Sequence, residues 1–66
     1  MAAPSNRLRH LRAEAGLTQA QLAAASGINL RQLQKIEAGE IKLGNVTLSN
    51  AVALARALGI AAEDLI

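Results

Sequence analysis

The sequence predicts an all-α bundle, and three observations lead there. No stretch alternates apolar and polar residues with the period of two that marks a half-buried strand. Alanine is abundant and β-branched residues are sparse, which favours helix. Gly16, Gly27, Gly39, Gly44 and Gly59 divide the chain into short segments whose apolar residues recur at helical spacing. Five helices account for the 66 residues.

The first is expected from about Asn6 to Ala15, with Ser5 as N-cap, Leu8, Leu11 and Ala15 as the inner stripe and Gly16 as the stop. The second begins at Thr18. Thr18 and Gln21 have the spacing of a capping box, in which the hydroxyl accepts from a free backbone N–H and the glutamine reaches back. Leu22 and Ala25 are expected to face inward, Gly27 ends the helix, and Ala23 is small enough to let another helix approach. The third runs from about Leu30 to Ala38, capped by Asn29, with Gln32 repeating the box spacing and Gly39 as the stop. Residues 40–46 read as a loop in which Ile41, Leu43 or Val46 tucks down. Thr47 caps the fourth helix, whose inner stripe is expected to be Leu48, Ala51, Val52, Ala55 and Leu58, and Gly59 ends it. The last segment, "AAEDLI", makes about one turn as the fifth helix, with its acidic residues early, where the helix dipole favours them. Leu54, Ile60, Leu65 and Ile66 read as satellite core, with an interface as the alternative.

Composition narrows the function. A chain this short makes a single domain, residues 1–66, that buries only about 60% of its unfolded surface. It has no cysteine and one histidine, His10, so no disulfide, thiolate metal site or histidine cluster is available. It has no aromatic residue, which excludes base-stacking platforms and aromatic cages. No nucleophilic cysteine, oriented histidine or glycine-rich phosphate loop is present, so no catalytic residue, metal or cofactor is expected and the chain is not read as an enzyme. No apolar run approaches the roughly 18 residues needed to span a bilayer, and "MAAPSN" is not a signal peptide. A soluble protein of a reducing compartment is expected. The net charge is only +2, but six of the seven basic residues (Arg7, Arg9, Arg12, Arg31, Lys35 and Lys42) lie in the first 42 positions. An anionic partner should approach that part of the chain. Arg7 and Arg9 are either solvated or phosphate-facing.

The second and third helices are joined by "SGIN". Two short helices around a glycine-containing turn have helix-turn-helix spacing, here over about residues 18–38. Gly27 can take the positive φ of the turn, and Ile28, Leu33 and Ile36 can fill the angle between the helices. On the third helix Leu33 and Ile36 point inward, with Leu30 and Glu37 at the stripe's edges, while Arg31, Lys35 and Ala38 point away, flanked by Gln32 and Gln34. Such a helix fits the major groove of DNA. Arginine and lysine donate to guanine, glutamine pairs with adenine, and Leu30 can rest on a thymine methyl. Arg12 falls four residues after Leu8, and Glu37 four after Leu33, so both charges lie on apolar stripes. That placement suggests a partly buried ion pair tying the first helix to the third, a specificity device rather than a source of net stability.

The run "LRHLRAEAGLTQAQLAAASGINLRQLQKIEAGE" followed by "TLSNAVALARALGI" resembles the phage-repressor type of helix-turn-helix, the Cro-like or Xre-like family, over about residues 7–66. The resemblance implies a five-helix, lambda-repressor-like bundle that binds operator DNA as a dimer. It implies that Leu30, Arg31 and Lys35 contact bases, that Gln19 clamps a phosphate, that Gln34 and Lys42 approach bases or backbone, and that Arg12 and Glu37 form the family's ion pair. The expected contact set is therefore Leu30, Arg31, Gln34 and Lys35 on bases and Gln19, Gln32 and Lys42 on phosphates. Leu30 departs from the polar residue frequent at its position, and Ala61 from the serine frequent at the cap of the last helix.

The leading reading is therefore a sequence-specific double-stranded DNA-binding transcriptional regulator, a repressor, acting in the bacterial or phage cytoplasm at the nucleoid. It would bind a palindromic operator as a homodimer. The alternative is a protein-interaction module, an antitoxin or anti-regulator partner, that keeps the fold and uses Leu30 and the apolar tail as anchors.

Overall fold

The computed structural model of the chain describes residues 6–65. Ser5, the expected first cap, and Ile66, the expected last core residue, lie outside the described residues. Among the described residues there are four α-helices: α1 (Asn6–Glu14), α2 (Gln19–Ser26), α3 (Leu30–Glu37) and α4 (Leu48–Leu58). Short 3₁₀ turns cover Leu43–Asn45 and Ala62–Leu65, and no strand occurs among the described residues.

The helix boundaries have local causes. Thr18 Oγ1 accepts from the backbone N–H of Gln21 at 3.1 Å, and Gln21 Oε1 accepts from the Thr18 N–H at 2.9 Å, a complete capping box. Asn29 Oδ1 accepts from the Arg31 N–H at 2.8 Å. The expected return bond from Gln32 is not among the described contacts, so α3 begins on a single cap where α2 begins on two reciprocal bonds. Thr47 caps α4 by accepting from the Asn50 N–H at 3.3 Å. Between α2 and α3, Gly27 takes φ +75°, which a side chain would strain although nothing lies near enough to clash with one. Ser26 supports the same turn: its hydroxyl donates to the Leu22 carbonyl at 2.8 Å and accepts from the Ile28 N–H at 3.3 Å.

The expected fifth helix is a 3₁₀ turn, closed by an i to i+3 bond from the Asp64 N–H to the Ala61 carbonyl at 3.0 Å. Ala61 offers no side-chain acceptor to start a longer helix, and the segment is too short to repay nucleation. Its last residue is nevertheless well used, since Leu65 is fully buried and packs with α4.

The core is aliphatic. Leu8 from α1, Leu22 from α2, Leu33 and Ile36 from α3, Leu54 from α4 and Leu65 are all fully buried, and Ala23, Ile28 and Ala55 complete the cluster. Ile41, Leu43 and Val46 of the loop all pack against it, as do Leu58 and Ile60. Four expectations fail: Val52 is only half-buried and not part of the core cluster, and three further residues are exposed. Ala15 and Ala25 are exposed, because the inner faces of α1 and α2 are centred on Leu8 and on Leu22–Ala23. Leu48 is 78% exposed. The inward stripe of α4 runs Ala51, Leu54, Ala55, Leu58, at i, i+3, i+4 and i+7, which leaves Leu48 at its rim and brings Leu54 to the centre.

Candidate nucleic-acid interface

The helix-turn-helix spans α2, the Gly27 turn and α3. Ala23 of α2 is buried, and Ile28, Leu33 and Ile36 share its core cluster, with α2 and α3 in contact. With that face packed, the opposite face of α3 is fixed by helical geometry. Leu30, Arg31, Gln34, Lys35 and Ala38 are exposed, and Gln32 is half-buried. Neither Arg31 nor Lys35 makes a side-chain hydrogen bond or ion pair among the described residues. Arg31, Gln32 and Lys35 line one hollow of about 380 Å³ together with Asn29 and Ile41. Leu30 retains 39% of its surface at the edge of this face.

The inner edge of α3 is wired tightly. Arg12 Nε donates to Glu37 Oε2 at 2.8 Å, and Arg12 Nη2 to Glu37 Oε1 at 3.0 Å, a forked pair. Only 15% of the Arg12 side chain and 3% of the Glu37 side chain are exposed. Arg12 Nη1 also donates to the Leu17 carbonyl at 2.8 Å, so one guanidinium fixes α1, the α1–α2 turn and α3. The hydrogen bonds to Glu37 raise the pKa of Arg12 above its ordinary value, against the opposing effect of burial. Gln19 joins the cluster: its Nε2 donates to Glu37 Oε1 at 3.1 Å. Gln19 was singled out for a phosphate, and it is half-buried with one amide hydrogen already committed.

A second hollow, about 500 Å³, opens above this cluster. Arg9, Thr18, Gln19 and Gln34 line it, with Arg12 and Glu37 beneath. The structure thus gathers Arg31, Gln32 and Lys35 in one place and Gln19 and Gln34 in another. Lys42 is exposed in the loop and lines neither. Arg9, which the sequence leaves open between solvent and phosphate, lines the second hollow, as does Thr18, which the sequence marks only as a cap. The signal was present: Arg9 lies three residues before Arg12, so the two share a side of α1.

Among the described residues there is no cluster of His, Cys, Asp or Glu that could hold a metal ion. None of the helices described is long and apolar enough to cross a membrane.

Residues 8–65 match the sequence profile of the helix-turn-helix family. No curated protein matches the chain. Among solved structures, the chain is similar to the restriction-modification controller protein C.AhdI from Aeromonas hydrophila, at 37% identity and a TM-score of 0.84, over 94% of this chain and 89% of that one.

Proposed function

The chain belongs to the helix-turn-helix family and is a DNA-binding transcriptional regulator, and from this premise we propose that α3 is its recognition helix, lying in the major groove of an operator. The single observation that carries this reading is the outer face of α3, where Arg31 and Lys35 project into solvent with no partner among the described residues. Leu30, Arg31, Gln34 and Lys35 contact base edges, while Gln19, Gln32 and Lys42 hold phosphates and set the register. The Arg12–Glu37 pair is structural and holds α1 against α3. Residues 1–66 act as one DNA-binding domain, a repressor working in the cytoplasm, with the helix-turn-helix proper at about residues 18–38.

The protein acts as a homodimer on a palindromic site, each α3 reading one half-site, the two about 34 Å apart. A groove of about 490 Å³ supports this reading; Leu43, Val46, Leu48, Ala51 and Leu65 supply its apolar walls. It gives a second copy an aliphatic surface, with the exposed Leu48 at its rim.

Selection of bound duplexes from a random pool, followed by titration of the selected duplex over a range of salt, tests the proposal. A two-fold symmetric site, bound by the wild type and lost by the double variant Arg31→Ala, Lys35→Ala, is the expected result. Recovery of no preferred sequence, or undiminished binding by the double variant, would overturn the assignment of α3.

A further inference from the structure

The structure separates the three arginines of α1. Arg7 Nε donates to the backbone carbonyl of Asp64 at 2.9 Å. Arg12 is spent on Glu37 and the Leu17 carbonyl. Arg9 is exposed, makes no hydrogen bond or ion pair among the described residues, and stands on the wall of the hollow above the Arg12–Glu37 cluster. The charges of Arg12 and Glu37 offset each other, so Arg9 supplies the net charge of this hollow.

The neutral groups there are donors as well. Glu37 Oε1 accepts from Gln19 Nε2, which fixes the plane of that amide and leaves its second hydrogen to point elsewhere. Thr18 Oγ1 accepts from the Gln21 N–H and keeps its own hydrogen. Both oxygens of Glu37 already accept hydrogen bonds from within the chain. An anion entering the hollow therefore meets one guanidinium and two oriented neutral donors, over a carboxylate whose charge is already matched.

We propose that the hollow between α1 and the α2–α3 pair seats one phosphate of the DNA backbone, contacted by Arg9 and by the second amide hydrogen of Gln19, and that Glu37 is the positioning residue that holds Gln19 for the contact. The proposal rests on the DNA-binding reading and deepens it. It adds Arg9 to the phosphate contacts and gives Glu37 a function beyond its ion pair. It also places a phosphate contact on α1, outside the helix-turn-helix itself.

The test is a salt titration of binding to the selected operator and to an unrelated duplex. The proteins compared are the wild type, Arg9→Gln, Gln19→Ala, the paired replacement Arg12→Met with Glu37→Met, and that pair combined with Gln19→Ala. Removing Arg9 should make the slope of log affinity against log salt shallower by about one and weaken both duplexes by the same factor, about 3–10-fold. Replacing Arg12 and Glu37 together by methionine leaves the net charge of the hollow unchanged and removes the acceptor that holds Gln19, so it should weaken binding about as much as Gln19→Ala, and the combination should be no weaker than either alone, because both changes remove the same contact. A merely structural Glu37 would give additive losses.

A neutral methylphosphonate scanned along the operator covers the case in which the paired replacement unfolds. One position should cost the wild type affinity and cost Arg9→Gln clearly less. A wild type that binds duplex DNA while Arg9→Gln keeps its slope, or additive losses in folded variants, would overturn the phosphate seat alone. A wild type that binds no duplex would overturn the DNA-binding reading with it.

Discussion

Glu37 and Lys35 stand two residues apart on α3 and meet opposite surroundings. Glu37 accepts three hydrogen bonds from Arg12 and Gln19 and is almost fully buried, whereas Lys35, with Arg31 one turn earlier, extends into water without a partner among the described residues. The inner edge uses polar groups to hold helices together, and the outer edge leaves them unsatisfied by the chain itself. One eight-residue helix therefore divides its polar side chains between contacts within the fold and exposure to solvent, and its register decides which residue does which. The difference teaches that charge alone does not mark a binding residue; the mark is a charge that the fold has not already used.

The sharpest way to break this comparison is to take a charge from the inner edge. Glu37→Ala leaves Arg12 without its carboxylate and should destabilise the domain by about 3–5 kcal/mol, enough to bring so small a chain close to unfolding. Urea unfolding followed by far-ultraviolet circular dichroism measures this. Replacing Arg12 and Glu37 together by methionine should recover most of the loss, and a double variant as unstable as Glu37→Ala would mean that the pair is not acting as a pair.

The outer edge should respond in the opposite sense. Arg31→Ala with Lys35→Ala should cost about 2–4 kcal/mol of binding to the selected operator, read from the anisotropy of a labelled duplex. The urea midpoint should shift by no more than about 0.5 kcal/mol equivalent, the range usual for exposed positions. A large loss of stability in this variant would erase the distinction between the two edges.

Smaller effects sharpen the picture around the ends of the helices. Thr18→Ala removes the hydroxyl of the capping box and should cost about 1 kcal/mol of stability. Asn29→Ala removes the lone bond that starts α3 and should cost no more than that, so a clearly larger loss at Asn29 would reverse the ranking of the two caps. Smallest of all should be Leu48→Ser, which leaves the stability of the monomer within about 0.5 kcal/mol. Sedimentation equilibrium should show weaker self-association, and an unchanged association constant would remove Leu48 from the proposed dimer surface.

Much of this organisation can be read along the chain. The caps at Thr18, Asn29 and Thr47 and the stop at Gly27 follow from local chemistry, and each helix they border lies within a residue or so of its expected limits. The positions of Arg12 and Glu37 on apolar stripes are a sequence pattern, and in the structure the two side chains meet. Other features are tertiary. The phase of α4, which exposes Leu48 and buries Leu54, depends on where α2 and the last 3₁₀ turn pack, and the spacing of apolar residues in so alanine-rich a helix fits either choice. The shortness of the final turn reflects a missing cap, legible at Ala61 once the length of the segment is weighed. The bond from Gln19 to Glu37 joins residues on different helices, and no local rule predicts it. The sorting of Arg7 and Arg9 likewise depends on Asp64, far along the chain, whose carbonyl takes one of them.

The Arg7–Asp64 bond brings the beginning of α1 beside the closing 3₁₀ turn, although the two residues lie 57 positions apart in the chain. Residues so placed can be joined by a short peptide and the chain reopened elsewhere, and the exposed Gly44 between α3 and α4 offers a site for new termini. A circular permutant cut there would keep α1, α2 and α3 continuous, with the whole helix-turn-helix inside one unbroken stretch. It would begin with α4 and reach α1 through the new peptide. If such a molecule folds and still recognises the operator, the order of the segments matters less to this domain than their contacts.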